Sequence, residues 1–406
     1  MSFLFQAAKG EKKQRRRRFG AVLLLLLLAG CAMRSGDARQ DPAAGSAGEA
    51  DAETASEDAV SAAVERLLAE MDREEKAWQM LIVSPQQVTG AASTGNSTLW
   101  ASGFAARGAG GVVFDGENMT SEAELRGMLA AARMTGKLAP LLCVDEEGGT
   151  VARLAYNLGA VTKFKPMFTY RDMGAETAYA NARTIGSEVA DFGFNVDFAP
   201  VADVWTNPDN TVIGRRAYSD DPEEAAELVS AAVRGFHDGG VGCVLKHFPG
   251  HGDTAEDSHL GAAYCARTAE ELARCELMPF IAGIEAGADM VMIGHITLPA
   301  LDPDHPATLS RAVVTGLLRE QLGFDGVVLT DAMGMGALAG AAESEARAAV
   351  LAVEAGCDLI LGAEDPDAVV RALLDGVDEA RLDESVRRIL RLKLDRGIIR
   401  PPEALY

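Results

Sequence analysis

Residues 246 to 259, KHFPGHGDTAEDSH, place one lysine, three histidines and three carboxylates in fourteen positions that also hold two glycines and a proline. The chain has six histidines in 406 residues, and half of them stand here. Three kinds of chemistry use such a set. Imidazoles and carboxylates bind divalent metals. A histidine backed by a carboxylate moves protons, because imidazole titrates at about 6.5. The same groups on a solvated, glycine-rich loop merely respond to pH. Spacing argues against the metal: His247, His251, Asp253, Asp257 and His259 match no helical or knuckle ligand pattern, and Lys246 beside them opposes a cation. No CxxC or His-x-x-His pair suggests structural zinc elsewhere. No GxGxxG or GxxxxGK[ST] run stands where a strand meets a helix, so no nucleotide cofactor is expected.

The elements that must position these groups are eight short apolar runs: Met80 to Val83, Gly111 to Phe114, Leu141 to Val144, Phe194 to Phe198, Gly242 to Leu245, Met290 to Ile293, Val327 to Leu329 and Asp358 to Leu361. Helix-spaced stretches rich in Ala, Leu and Glu separate them, among them Ser121 to Thr135, Thr177 to Asp191 and Pro222 to Asp238. Eight such units predict an α/β fold, either a (β/α)8 TIM-type barrel or a doubly wound open sheet. An open sheet gathers its chemistry at one crevice, whereas a barrel gathers it at the C-terminal ends of many strands. Here Asp145-Glu146-Glu147, Asp203, Lys246-His247, His295, Asp331 and Glu364-Asp365 each follow a different run, which favours a single closed barrel.

The N-terminus reads as an address. Seven Lys/Arg precede an apolar stretch, Ala21 to Ala29, too short to cross a bilayer as a helix, as in a signal peptide. Leu28-Ala29-Gly30-Cys31 is similar to the lipobox of bacterial lipoproteins, which implies cleavage before Cys31, lipid on Cys31 and attachment at the cell envelope. Residues 31–59, mostly Ala, Gly, Ser, Asp and Glu, predict a flexible tether, 60–398 the barrel and 399–406 a C-terminal tail. The net charge of -22 becomes about -28 when a leader of seven basic and one acidic residues is removed, which excludes nucleic acid as a partner. Cys143, Cys243 and Cys357 sit in apolar runs as buried thiols; Cys265 and Cys275 stand in a polar segment of an exported chain, where they either pair or stay free. Oligomeric state is not written in the sequence.

With VDEEGGTVARL (144 to 154), VIGRRAYSDDP (212 to 222) and LTDAMGMGAL (329 to 338), the opening run resembles glycoside hydrolase family 3, specifically its single-barrel β-N-acetylglucosaminidases. The resemblance covers about residues 70 to 395. A retaining glycosidase needs a carboxylate to form a glycosyl-enzyme and a proton donor on the leaving-group side. By position alone Asp331, at the end of an apolar run, either caps the next helix or faces the barrel mouth. The resemblance makes it the nucleophile, and His259 the acid/base assisted by Asp257. It further implies that Asp145, Arg153, Arg216, Lys246 and His247 bind the sugar, with His251 and Asp253 shaping the loop. Tyr218 and Trp205 either pack near the sugar or fill the core.

The resemblance thus implies a retaining exo-β-N-acetylglucosaminidase acting on terminal N-acetylglucosamine of peptidoglycan fragments or chitooligosaccharides, with a carbohydrate partner and no cofactor. Two alternatives use the same residues: an N-acetylglucosaminide phosphorylase, since a neutral imidazole repels phosphate less than a carboxylate would, and an inactive glycan-binding lipoprotein.

Overall fold

The eight apolar runs become the strands of a closed barrel: β1 (Leu81–Val83), β2 (Gly111–Phe114), β3 (Leu141–Val144), β4 (Val196–Asp197), β5 (Gly242–Phe248), β6 (Met290–Ile293), β7 (Val327–Ala332) and β8 (Leu359–Leu361). Each pairs in parallel with its neighbours in the chain, and β1 closes on β8 through Leu81 with Ile360 and Ile82 with Leu361. This computed structural model describes residues 47–89, 97–255, 258, 261–338 and 340–401. The closed barrel, rather than the open sheet, is what forms. Its strands are buried on both faces, as a parallel sheet lined inside by side chains and outside by helices requires.

Two strand ends extend beyond the apolar runs. β5 runs on to Phe248 and β7 to Ala332, so Lys246, His247 and Asp331 occupy strand positions. β4 is shorter than its run. Past Asp197 the chain still pairs with β5, but irregularly, through Val244 N–H to Ala199 O (2.8 Å) and Ala202 N–H to Lys246 O (2.7 Å).

The helix Pro222–Gly239 shows how local sequence fixes an outer element. Asp221 accepts from Glu223 and Glu224 N–H, Pro222 opens the first turn, and Gly240 at φ +95° ends it. It lies tightly against the helix Gly174–Phe192 because Gly235 has no side chain; a Cβ there would stand 2.4 Å from Tyr179 O.

At the closed end, Asp358 just before β8 is buried and joined by Arg319 (2.5 Å), Arg388 (3.2 Å) and Arg381 (3.4 Å), tying two helical segments to the last strand. The helix Ala47–Ala69 begins inside the stretch expected as tether, so residues 47–59 are helical. Alanine and glutamate favour helix, and Glu65 and Glu57 pair with Arg387 and Arg391 of the helix Glu379–Asp395. The leader, Cys31 and residues 402–406 lie outside the described residues. No described helix is long and apolar enough to cross a membrane. Cys265 and Cys275 are separate, buried thiols rather than a disulfide, as are Cys143, Cys243 and Cys357.

Lys393, fully buried on the helix Glu379–Asp395, donates to Gln79 Oε1 at 2.8 Å. Burial brings its ammonium down to about 7. Between pH 7 and 10.5 the unfolded chain then binds a proton that the folded chain does not, so this group adds stability as pH rises and costs stability near neutrality. Urea unfolding of wild type and Lys393→Met at pH 7 and 9 is expected to show their difference moving by about 2 kcal/mol in favour of wild type at the higher pH. A pH-independent difference would contradict this.

Candidate active site

The C-terminal ends of the strands surround a cavity of about 650 Å³, within the range of small-ligand sites. Asp145, Arg153, Arg216, Lys246, His247 and Asp331 all line it. Six residues spread over 187 positions of sequence are thus brought together because four strands, β3, β4, β5 and β7, point the same way. Asp257 and His259 lie outside the described residues. Ser258, between them in sequence, is buried; its carbonyl accepts from Ala337 N–H at 3.0 Å, which ties it to the loop that follows Asp331.

Beneath the cavity runs a buried ion network. Lys246 Nζ lies 2.5 Å from Asp145 Oδ1 and 2.6 Å from Glu147 Oε1, and Arg216 grips Glu147 with two parallel bonds of 2.7 and 2.9 Å. Burial alone would push the Glu147 carboxyl up, but Arg216 and Lys246 outweigh it and hold it well below the usual range. Burial likewise opposes the Lys246 ammonium, and Asp145 and Glu147 reverse that and raise it. Both cations therefore stay charged, each fixed by a carboxylate rather than by solvent.

Asp331 differs from these carboxylates in having no lysine or arginine partner among the described residues. Burial pushes its carboxyl up, yet the nearby His247 and His295, the Ala332 N–H at 2.8 Å from Oδ1 and Lys246 bring it below 3.8. The result is an ionised carboxylate facing a cavity, with its lone pairs not spent on a salt bridge. That is what a nucleophile toward an electrophilic carbon requires.

A second layer of residues sets the geometry. Asp203, fully buried, accepts from His247 N–H (3.2 Å), from His251 N–H (2.7 Å) and from His247 Nδ1 (2.8 Å), which leaves His247 Nε2 for the cavity. His251 is held at both ring nitrogens, Nδ1 to Thr254 Oγ1 at 2.7 Å and Nε2 to Ser258 Oγ at 2.8 Å, so it holds the loop rather than a ligand. Asp253 pairs with Arg267 at 2.8 Å and accepts from Thr206. His295 joins Thr308 Oγ1 to Ala332 O and thereby braces the backbone beside Asp331.

Sequence reasoning noted Glu147, Asp203 and His295 only as polar residues after strands and gave them no role. Glu146 and Asp365 carry the same signal and do something else: Glu146 accepts from Leu154 and Ala155 N–H, and Asp365 caps the helix Pro366–Gly376. Only burial and partners separate the two groups. Tyr218 is buried in the core and Trp205 packs edge-on against Phe168 at 5.0 Å; neither lines the cavity. Arg215, beside Arg216, does line it, at the rim.

The loop tolerates no side chain at Gly252, where a Cβ would fall 1.8 Å from Val204 O. Gly252→Ala is expected to destabilise the protein by about 2 kcal/mol or more, by overpacking, and to reduce turnover. Chemical denaturation with an activity assay would check both, and unchanged values would show that the loop yields.

Among the described residues one group has metal-ligating composition, His237, Cys243 and Asp289, at the closed end of the barrel. Arg396 already supplies its cation, with Nε 2.5 Å from Asp289 Oδ1 and Nη2 2.6 Å from His237 Nε2.

The model of the glycosyl hydrolase family 3 N terminal domain matches residues 74–392. A beta-hexosaminidase of Xanthomonas oryzae pv. oryzae is 39% identical over 255 residues, 62% of this chain and 75% of that protein. The structure of a family 3 β-N-acetylglucosaminidase from Paenibacillus superposes with a TM-score of 0.73 at 39% identity, over 81% of this chain. This chain spans 63% of the length of that one. A β-N-acetylhexosaminidase from Beutenbergia cavernae superposes with a TM-score of 0.70 at 32% identity, over 81% of this chain and 99% of its own.

Proposed function

Because the chain belongs to glycosyl hydrolase family 3, we propose that it is a retaining exo-β-N-acetylglucosaminidase that removes terminal N-acetylglucosamine from peptidoglycan fragments or chitooligosaccharides. The observation that carries this reading is Asp331: a partly buried carboxylate, held ionised and without a lysine or arginine partner among the described residues, in the cavity that also holds Asp145, Lys246, His247 and Arg216. In the first step a carboxylate oxygen of Asp331 bonds to the anomeric carbon as the glycosidic C–O bond breaks, and the departing oxygen takes a proton from His259. In the second, water attacks the same carbon, His259 takes back a proton, and the bond to Asp331 breaks. Asp257 orients His259 and stabilises its imidazolium. Lys246 and His247 hold the sugar hydroxyls, with Asp145, Arg216 and Arg153 around them.

Rigid placement matters because attack needs the reacting atoms within about 3.5 Å. The ion network under the cavity supports it, since Lys246 cannot swing away without leaving Asp145 without its lysine and Glu147 with Arg216 alone. Release of N-acetylglucosamine from an aryl N-acetylglucosaminide, a muropeptide and a chitooligosaccharide, each with and without phosphate, tests the reading. Hydrolysis without phosphate is the expected result. A sugar 1-phosphate as the main product would establish phosphorolysis instead, and binding without turnover would leave a glycan-binding protein.

We also propose that lipid on Cys31 holds the chain at the envelope. The basic leader, the apolar stretch Ala21 to Ala29 and the lipobox-like Leu28-Ala29-Gly30-Cys31 support this. Labelled palmitate is expected to enter the wild type and not Cys31→Ala; equal labelling removes the proposal.

A further inference from the structure

The cations of the cavity are unequally matched. Lys246 has Asp145 and Glu147, Arg216 has Glu147, and Arg153 stands 3.7 Å from Asp115. Arg215 is different: its guanidinium donates to a neutral hydroxyl, Thr169 Oγ1, at 2.9 Å, and it has no carboxylate partner among the described residues. The chain carries a net charge of -22, yet this arginine at the edge of the cavity has no carboxylate beside it among the described residues. Its position is also fixed. It is the middle residue of the short helical turn Gly214–Arg216 that places Arg216 on Glu147, so the pair of arginines reaches in two directions, one to the floor and one to the rim.

We infer that Arg215 is a specificity-determining residue that binds an anionic group, a carboxylate, on the part of the substrate leaving the cavity. This rests on the proposed glycosidase reading. A terminal sugar seated over the buried Lys246 and His247 and the partly buried Asp331 directs the remainder of the substrate toward the exposed rim, where Arg215 and Arg153 stand. A guanidinium presents a planar fork of donors that matches a carboxylate in two parallel bonds. The hydrogen bond to Thr169 leaves the other donors of Arg215 for that purpose. Of the two substrate types proposed above, the inference selects the one whose aglycone carries an acid: a β1,4-linked N-acetylmuramic acid rather than a second N-acetylglucosamine.

The test compares the disaccharide of N-acetylglucosamine and N-acetylmuramic acid with the same disaccharide carrying its lactyl carboxylate as the amide, so that shape is kept and charge removed. Wild type is expected to favour the acid by about tenfold in kcat/KM, mostly through KM, in line with one charge-assisted contact at an exposed site. The preference should shrink at high ionic strength. Arg215→Gln should abolish it while leaving the rate on a neutral aryl N-acetylglucosaminide unchanged, and Arg215→Lys should restore part of it. Equal rates for acid and amide in wild type, or a preference that survives in Arg215→Gln, overturns the inference, as does a wild-type stimulation by free phosphate that Arg215→Gln removes. Turnover of the aryl glycoside without any acid preference would leave the glycosidase reading standing and sink only the role of Arg215; no turnover of any of these substrates would sink both.

Discussion

Asp331→Asn is expected to lower kcat on an aryl N-acetylglucosaminide by about a thousandfold or more, with KM little changed and the fold intact by circular dichroism. The amide keeps the shape and can still accept from Ala332 N–H, but it has no charge to form a glycosyl ester, and loss of a covalent nucleophile is a loss made only in the transition state. The carboxyl is held below 3.8 by its neighbours despite burial, so its titration sets no limb of the pH–rate profile between pH 5 and 8. Any limb seen there reports the proton donor and should vanish in His259→Ala, whose residual rate on substrates with good leaving groups should exceed that on disaccharides. Wild-type kcat in Asp331→Asn would remove the nucleophile assignment.

Glu147→Gln should show the largest stability effect of any single change in the site, about 3–5 kcal/mol, because it leaves Arg216 and Lys246 buried without their shared counter-ion. The carboxyl sits well below its ordinary 4.5 in the folded protein because Arg216 and Lys246 overcome its burial. Its contribution is therefore complete above pH 4.5 and is lost as pH falls through the lowered folded value. Urea unfolding should give a gap between wild type and Glu147→Gln that is level from pH 7 to pH 5 and narrows below pH 4.5. Activity should fall as well, through freed Lys246 and Arg216. A change under 1 kcal/mol would mean that solvent or rearrangement replaces the lost charge and that the network is not rigid.

The sites of these two predictions differ in how visible they are in the sequence. Asp331 follows an apolar run within LTDAMGMGAL, a motif whose resemblance assigns it a role. Glu147 stands in VDEEGGTVARL beside Asp145 and Glu146, three carboxylates in a row that composition cannot rank. Folding separates them. The chain after β3 turns into a short hairpin, Glu146–Gly148 with Val151–Ala152, which sends Glu147 inward to Arg216 while Glu146 accepts from the next helical turn. In the same way Arg215 and Arg216 are adjacent and chemically identical, yet one is bound to the floor and the other waits at the rim.

Residues 47–59, read from composition as tether, fall in the helix Ala47–Ala69 for a related reason. Alanine and glutamate suit both a solvated linker and a helix, and pairing with Arg387 and Arg391, more than 300 residues later, accompanies the helix. Sequence by itself determined the eight strands, the barrel and the strand ends that carry the chemistry, because hydrophobic period and motif spacing are local along the chain. Only the tertiary structure decided which carboxylate is a counter-ion, which is a cap and which has no cationic partner among the described residues, since ionisation depends on burial and on charges contributed by distant strands.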